Sequence, residues 1–358
     1  MKKIILTGGG TAGHVTPNIA LIPKLKEKGY DIYYIGTYNG IERKLIEDQG
    51  IPYYPIASGK LRRYFDVKNF TDPFKVIKGL GQATHIIRKI KPDVIFSKGG
   101  FVSVPVIVGG YLNRIPTIIH ESDMTPGLAN KIGIPLAKTV CTNFPETLEH
   151  IPNNKGIHTG TPIRQELFEG TKFEGYRATG FSENRPVILV MGGSLGSVKI
   201  NTVLREALPT LLKSYQVVHI CGKGNLDNNL MDKTSYKQFE YVKENLSHVF
   251  AIADIMISRA GANSISEILA LKIPNILIPL SASASRGDQI LNSNSFKKQG
   301  FSFILNEENL NTPELIKSID AIYNNRSEYI TTMKKSKATN GIDSVLQTIE
   351  KYEKKKKE

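Results

Sequence analysis

Long apolar runs are missing from this sequence of 358 residues, and none approaches the ~20 residues that a membrane-spanning helix needs. The basic start, Met1-Lys2-Lys3, is followed by only Ile4-Ile5-Leu6 before Thr7 and a glycine cluster, too little for the core of a secretory signal. Cysteine is equally scarce. Cys141 and Cys221 cannot build a disulfide framework, so the chain is expected in the cytoplasm with both thiols reduced in its interior. No Cys or His pair has metal-ligand spacing, and no Asp-x-Asp occurs to bridge a metal to a diphosphate, so neither metal nor cofactor is expected. The Gly-x-x-x-x-Gly-Lys-Ser/Thr signature of a P-loop NTPase is absent too. Acidic residues are few: 33 against 47 basic ones, a formal net charge of +14. That balance points to a polyanionic partner, whether nucleic acid, an anionic membrane face or a phosphate-bearing ligand.

What is present is an ordinary globular mixture, with 40% hydrophobic and 22% charged residues, which excludes wholesale disorder. The length suits two domains, or three, at ~100–200 residues each. Short apolar strands alternate with helical stretches. Lys3–Thr7, Asp31–Ile35, Asp93–Phe96, Thr117–His120 and Thr139–Cys141 read as strands, and Pro17 opens a helix that runs to Lys28 with Gly29 as its stop. The pattern breaks over 152–186, a Gly-, Pro-, Thr- and Asn-rich stretch read as a linker. A second series follows: Val187–Met191, Val217–Cys221, Ile255–Ile257, Asn275–Ile278 and Ser302–Leu305. A last helix is expected over about 344–354, with Val345, Leu346, Ile349 and Tyr352 on one face. The two series predict an α/β protein of two Rossmann-like domains with parallel sheets facing a cleft.

Each series opens with the same device. Ile4-Ile5-Leu6-Thr7-Gly8-Gly9-Gly10-Thr11-Ala12-Gly13 matches Val187-Ile188-Leu189-Val190-Met191-Gly192-Gly193-Ser194-Leu195-Gly196 in order, a strand and then a glycine turn before a helix. Two further glycine turns follow strands, Ser97-Lys98-Gly99-Gly100-Phe101 and Ser258-Arg259-Ala260-Gly261-Ala262-Asn263-Ser264. Such turns bring backbone N–H groups and the positive end of a helix to an anion. A nicotinamide dinucleotide would need an acid at the end of the second strand to hold its ribose. The chain instead offers Tyr34-Ile35-Gly36-Thr37 and Ile220-Cys221-Gly222-Lys223.

Together, Gly8-Gly9-Gly10-Thr11-Ala12-Gly13-His14, Gly192-Gly193-Ser194-Leu195-Gly196, Ser258-Arg259-Ala260-Gly261-Ala262 with Ser266-Glu267, His120-Glu121 and Gly160-Thr161-Pro162-Ile163-Arg164 resemble the MurG family of GT-B glycosyltransferases, in order and over essentially the whole chain. The resemblance implies metal-independent, inverting transfer of N-acetylglucosamine from UDP-GlcNAc to undecaprenyl-pyrophosphoryl-MurNAc-pentapeptide (lipid I), giving lipid II for the peptidoglycan wall. It implies an acceptor and membrane-associating domain over 1–161 with 337–358, and a UDP-GlcNAc domain over 162–336. The UDP-GlcNAc contacts it implies are Thr11, Ala12, Gly13, Arg164, Ser194, Val242, Arg259, Glu267, Asp288 and Gln289. Glu267 would accept both ribose hydroxyls, Ser194 and nearby amides would hold the diphosphate, and the Val242 backbone would read uracil. Gly9, Gly10, Gly99 and Gly100 would receive the acceptor diphosphate. His14 is the candidate base, or an acceptor anchor with the amides of Thr11 to Gly13; Glu121 and Asp123 are alternative bases. The family commonly carries His-Glu-Gln-Asn where this chain has His120-Glu121-Ser122-Asp123, and Gly in place of Ala12. An Asn amide both donates and accepts, whereas an ionised Asp123 only accepts.

Between Arg62 and Lys91, Phe65, Val67, Phe70, Phe74, Ile77 and Leu80 are interleaved with Arg62, Arg63, Lys68, Lys75 and Lys78. This pattern suits either a core-facing helix with solvated lysines or the surface of an anionic bilayer. The resemblance favours the second, a peripheral position on the cytoplasmic face of the membrane. The other readings are a different GT-B enzyme, such as a UDP-GlcNAc 2-epimerase or another lipid glycosyltransferase, and a basic nucleic-acid-binding protein. No recognised nucleic-acid module supports the last, so no nucleic acid is expected.

Overall fold

The computed structural model describes residues 2–59, 68–193, 196–242, 244–282, 287–336 and 340–353, with only the backbone over 68–73. Ser194, Leu195, Arg62, Arg63, Phe65 and Val67, with the side chains of Lys68 and Phe70, lie outside the described residues. The chain divides into two compact units, Met1–Arg164 with Asn340–Glu358, and Gln165–Thr339.

In the first unit seven strands form one parallel sheet: β1 (Lys2–Thr7), β2 (Tyr30–Thr37), β3 (Tyr53–Ile56), β4 (Val94–Ser97), β5 (Thr117–Glu121), β6 (Thr139–Thr142) and β7 (Gly156–His158), in the order β3-β2-β1-β4-β5-β6-β7. Successive side chains of a strand face opposite ways, and β1 is apolar on both faces because helices cover both. Ile4 and Leu6 pack with Leu21 and Leu25 of the helix Thr16–Glu27, while Ile5 packs with Ile87 of the helix Lys68–Ile90 and with Val102 and Val106. The last helix, Ile342–Glu350, belongs to this unit and adds Ile342, Val345, Leu346 and Ile349 to the first cluster. It is fastened by Tyr352 Oη to Thr139 Oγ1 at 2.6 Å and by ion pairs Lys2–Glu353 and Lys28–Glu350.

The second unit repeats the plan with β8 (Val187–Met191), β9 (Gln216–Ile220), β10 (Tyr236–Phe239), β11 (Ile255–Ser258), β12 (Asn275–Leu277) and β13 (Phe303–Ile304), all parallel, in the order β10-β9-β8-β11-β12-β13. The expected strands are present within a residue or two of their ends, and Ser302–Leu305 shortens to Phe303–Ile304. The stretch 152–186 is not a plain linker. It holds the edge strand β7, a 3-10 turn Gln165–Phe168 and the helix Lys172–Thr179. That helix is capped by Thr171, whose Oγ1 accepts from Glu174 N at 3.4 Å, and it stops at Gly180 with φ +72°.

In such an order the strand sequence reverses between two neighbours, and ligands bind outside the carboxyl ends of the strands at that point. The reversals fall between β1 and β4 and between β8 and β11. All four glycine turns follow these strands.

Candidate active site

In the first unit, the turns after β1 and β4 lie against each other. A Cβ on Gly100 would stand 2.2 Å from Gly9 O, at a φ of +85°, so only glycine fits. Behind the first turn, buried Tyr34 donates from Oη to Gly8 O at 2.7 Å, and buried Asn18 donates to Thr7 O at 3.1 Å. Glu42, fully buried, accepts from Gly10 N at 3.3 Å with one oxygen and from Thr37 N and Oγ1, at 3.0 and 2.6 Å, with the other. The Gly10 amide is thus held by a carboxylate within the unit.

His14 ends the 3-10 turn Ala12–His14, half-buried, with Nδ1 3.0 Å from Lys98 O. A carbonyl only accepts, so Nδ1 carries the proton and Nε2 is the basic nitrogen of the neutral ring. Thr11 at the head of this turn is exposed, and Ala12 and Gly13 are half-buried. Glu121, at the end of β5, is 4% exposed. Its Oε1 accepts from Ser122 N and Asp123 N at 2.8 and 3.0 Å, and its Oε2 from Gly127 N and Asn130 Nδ2 at 3.0 and 2.8 Å. Burial raises its pKa above the ordinary carboxylate value, with Asn130 and the backbone donors opposing. A carboxylate filled by four donors organises the 121–130 turn. Asp123 is half-buried on that turn, and Arg164 is half-buried at the end of the unit's first segment.

The same turn contains a buried polar chain. Lys98 Nζ lies 2.8 Å from His120 Nδ1 and 2.7 Å from Ser122 Oγ, and His120 Nε2 lies 2.8 Å from Gly160 O. The Gly160 carbonyl requires a proton on Nε2, so Nδ1 accepts from the lysine. Burial, reinforced by Lys98, keeps His120 neutral.

In the second unit, Gly196 has φ +78°, and a Cβ there would stand 2.0 Å from Cys221 O, so the turn after β8 is also restricted to glycine. It ends at Ser197, which caps the helix Val198–Leu211. The turn after β11 begins with Arg259, 8% exposed. Its guanidinium donates to Ser197 Oγ at 2.7 Å and to Ile278 O and Pro279 O at 3.2 and 3.4 Å, and pairs with Glu307. Arg259 therefore ties the turn after β8 to the segments that follow β11 and β12, with its guanidinium hydrogen-bonded within the protein. The helix Ala262–Leu271 follows and carries Glu267, half-buried, nearly two turns beyond Gly261. Asp288 and Gln289 open the helix Asp288–Lys298, and Gln289 Oε1 accepts from Leu280 N at 3.1 Å. Val242 lines a hollow of about 280 Å³ with Ala178, Phe239, Tyr241, Glu244, Asn245 and Val249.

Among the described residues no three His, Cys, Asp or Glu side chains converge as a metal site, and no helix is long and apolar enough to cross a membrane. Phe74 and Ile77 of the helix Lys68–Ile90 are 75% and 67% exposed beside exposed Lys75 and Lys78, so they are not core residues. Sequence reasoning missed Lys98, Asn130, Glu42 and Glu307. The pairing of an acid with a glycine turn across the fold has no local signature.

Residues 4–142 match the glycosyltransferase family 28 N-terminal domain and residues 187–349 the family's C-terminal domain. The chain is 59% identical over 353 residues, 98% of its length and 99% of the relative's, to the UDP-N-acetylglucosamine--N-acetylmuramyl-(pentapeptide) pyrophosphoryl-undecaprenol N-acetylglucosamine transferase of Clostridium novyi. The transferase of the same name from Clostridium tetani is 59% identical over 98% of both chains. Among solved structures, MurG of Acinetobacter baumannii superposes with a TM-score of 0.79 at 24% identity, over 98% of this chain and all of that one. A UDP-GlcNAc 2-epimerase from Methanocaldococcus jannaschii shares the fold at a TM-score of 0.68 and 15% identity, over 98% and 100% of the two chains. Two parallel-sheet units with paired glycine turns at their switch points, and this identity along the whole chain, establish that the protein belongs to glycosyltransferase family 28, among the MurG-type N-acetylglucosamine transferases.

Proposed function

We propose that the protein transfers N-acetylglucosamine from UDP-GlcNAc to undecaprenyl-pyrophosphoryl-MurNAc-pentapeptide, converting lipid I to lipid II. The observation that carries this reading is the 59% identity, sustained over 98% of the chain, to transferases of that name. The second unit takes the donor. Its uracil enters the hollow beside Val242, its ribose hydroxyls bind Glu267, and its diphosphate meets the glycine turn that contains Ser194 and leads into the helix Val198–Leu211. Asp288 and Gln289 contact the sugar, and the family resemblance adds Arg164, Thr11, Ala12 and Gly13 as donor contacts. Arg259 holds this architecture through Ser197, Ile278, Pro279 and Glu307. The first unit takes the lipid-linked acceptor, its diphosphate on the amides of Gly9, Gly99 and Gly100.

The transfer is a single inverting displacement. The acceptor hydroxyl attacks the anomeric carbon, and the bond from that carbon to the UDP oxygen breaks on the opposite side. His14 Nε2 takes the hydroxyl proton, while its Nδ1–H, held by Lys98 O, fixes the ring. The charge that develops on UDP falls on backbone amides and a helix N-terminus, and needs no metal. Exposed Phe74 and Ile77 with Lys75 and Lys78 support a peripheral site on the anionic inner leaflet, where the carrier lies.

Incubation with UDP-[14C]GlcNAc and a short-chain lipid I analogue tests the reading. Label should enter the organic-soluble fraction only when the acceptor is present. Conversion of UDP-GlcNAc without an acceptor, to an epimer, would replace the transferase reading with the epimerase one.

A further inference from the structure

Lysine is seldom buried, yet Lys98 is 1% exposed. It directly follows β4 and leads into the Gly99-Gly100 turn. Its Nζ reaches across to His120 Nδ1 and Ser122 Oγ on the β5 side, and its own carbonyl receives His14 Nδ1. One residue thus touches the ring proposed as the base, the turn that carries Asp123, and the glycines proposed to meet the acceptor diphosphate. The mechanism above uses only its carbonyl.

We propose that Lys98 is a positioning residue for the lipid-linked acceptor: its buried ammonium locks the 120–123 turn and places a positive charge beneath the Gly99-Gly100 amides. The proposal rests on the reading that the first unit binds the acceptor.

The groups that face Lys98 are His14 from the 3-10 turn, His120 and Glu121 from β5, Asp123 from the turn after it, and Cys141 from β6; His158 of β7 acts on His120. Burial lowers the lysine pKa to about 7, with Glu121, Asp123 and Cys141 opposing. The same burial keeps His120 neutral and pushes the Cys141 thiol up to about 12, so neither changes charge where Lys98 does. The sign follows. Below about pH 7 Lys98 is charged and the acceptor site is complete; as pH rises through that value the charge is lost, and kcat/KM for the acceptor falls.

The test is steady-state transfer from saturating UDP-GlcNAc to a short-chain lipid I analogue across pH 5.5 to 9. In K98M, an apolar side chain of similar length, acceptor kcat/KM should drop about tenfold or more at low pH, the scale of a lost hydrogen bond to a charged group. Its falling limb near neutrality should vanish, with the KM for UDP-GlcNAc within twofold of the parent. S122A removes one of the two Nζ acceptors, and should move the limb to lower pH because the ammonium loses a partner. If K98M fails to fold by circular dichroism, S122A alone carries the test. A K98M with the parent acceptor KM and limb, or an S122A whose limb stays in place, overturns the proposal. If the parent protein forms no lipid-soluble product at all, the acceptor reading fails with it, an outcome distinct from a parent that turns over and a K98M that behaves like it.

Discussion

Replacing Glu307 with alanine isolates the buried pair at the centre of the second unit. The two side chains are 9% and 14% exposed, so solvent screens the pair little. Arg259 would keep Ser197 Oγ and the carbonyls of Ile278 and Pro279, all neutral, and would lose its only carboxylate among the described residues. The Ser281 amide, which donates to Glu307 Oε2 at 3.3 Å, would lose its acceptor on that side chain as well. Removing one member of a buried pair costs about 3–5 kcal/mol because the other is left uncompensated. For a domain of this size each kcal/mol shifts the midpoint by roughly 2–4 °C, so the unfolding transition of the second unit should fall by about 6–20 °C. Arg259 joins the ends of β8, β11 and β12, so the KM for UDP-GlcNAc should rise in the same variant at temperatures where it remains folded. Differential scanning calorimetry of the full chain with donor-dependent kinetics measures both. A midpoint and a donor KM unchanged in Glu307→Ala would show that Arg259 does not hold the donor turn through this pair.

Glu267→Ala should raise the KM for UDP-GlcNAc about tenfold or more with a small change in kcat, as expected when a ribose contact common to ground and transition states is lost; a kcat-only defect in saturating donor would contradict the ribose assignment. His14→Ala should lower kcat by roughly 10²–10⁴-fold with a smaller effect on either KM, and normal turnover would remove His14 as the base. Sedimentation with vesicles should show binding to anionic but not neutral lipid at low salt, release at high salt, and weakening in Lys75→Glu/Lys78→Glu; equal binding to neutral vesicles would refute the electrostatic part.

The fold was legible where local chemistry and tertiary structure agree. The strands β1, β4, β8 and β11 are apolar on both faces and are followed by glycine turns, so their position and type could be read from a few residues. Short edge strands were harder to read. β3 contains Pro55, tolerated there because an edge strand has one side without a partner, and β7 is only three residues long within a polar stretch. The helix 172–179 had its signal in Thr171, Glu174 and Gly180, but the general composition of 152–186 obscured it. The glycine turns were legible as turns after strands. The commitments of Arg259, Glu121 and Gly10 were not, since Glu307, Asn130 and Glu42 reach them from elsewhere in the chain. Whether a charged side chain serves a substrate or the protein's own frame depends on partners that only the folded chain reveals.

The most direct measurement is a crystal structure of the protein soaked with UDP. The nucleotide is expected in the second unit, with uracil beside Val242, the ribose on the Glu267 carboxylate and the diphosphate on the turn between Gly192 and Ser197. A nucleotide seated instead on the glycine turns after β1 and β4 would contradict the assignment of donor and acceptor to the two units.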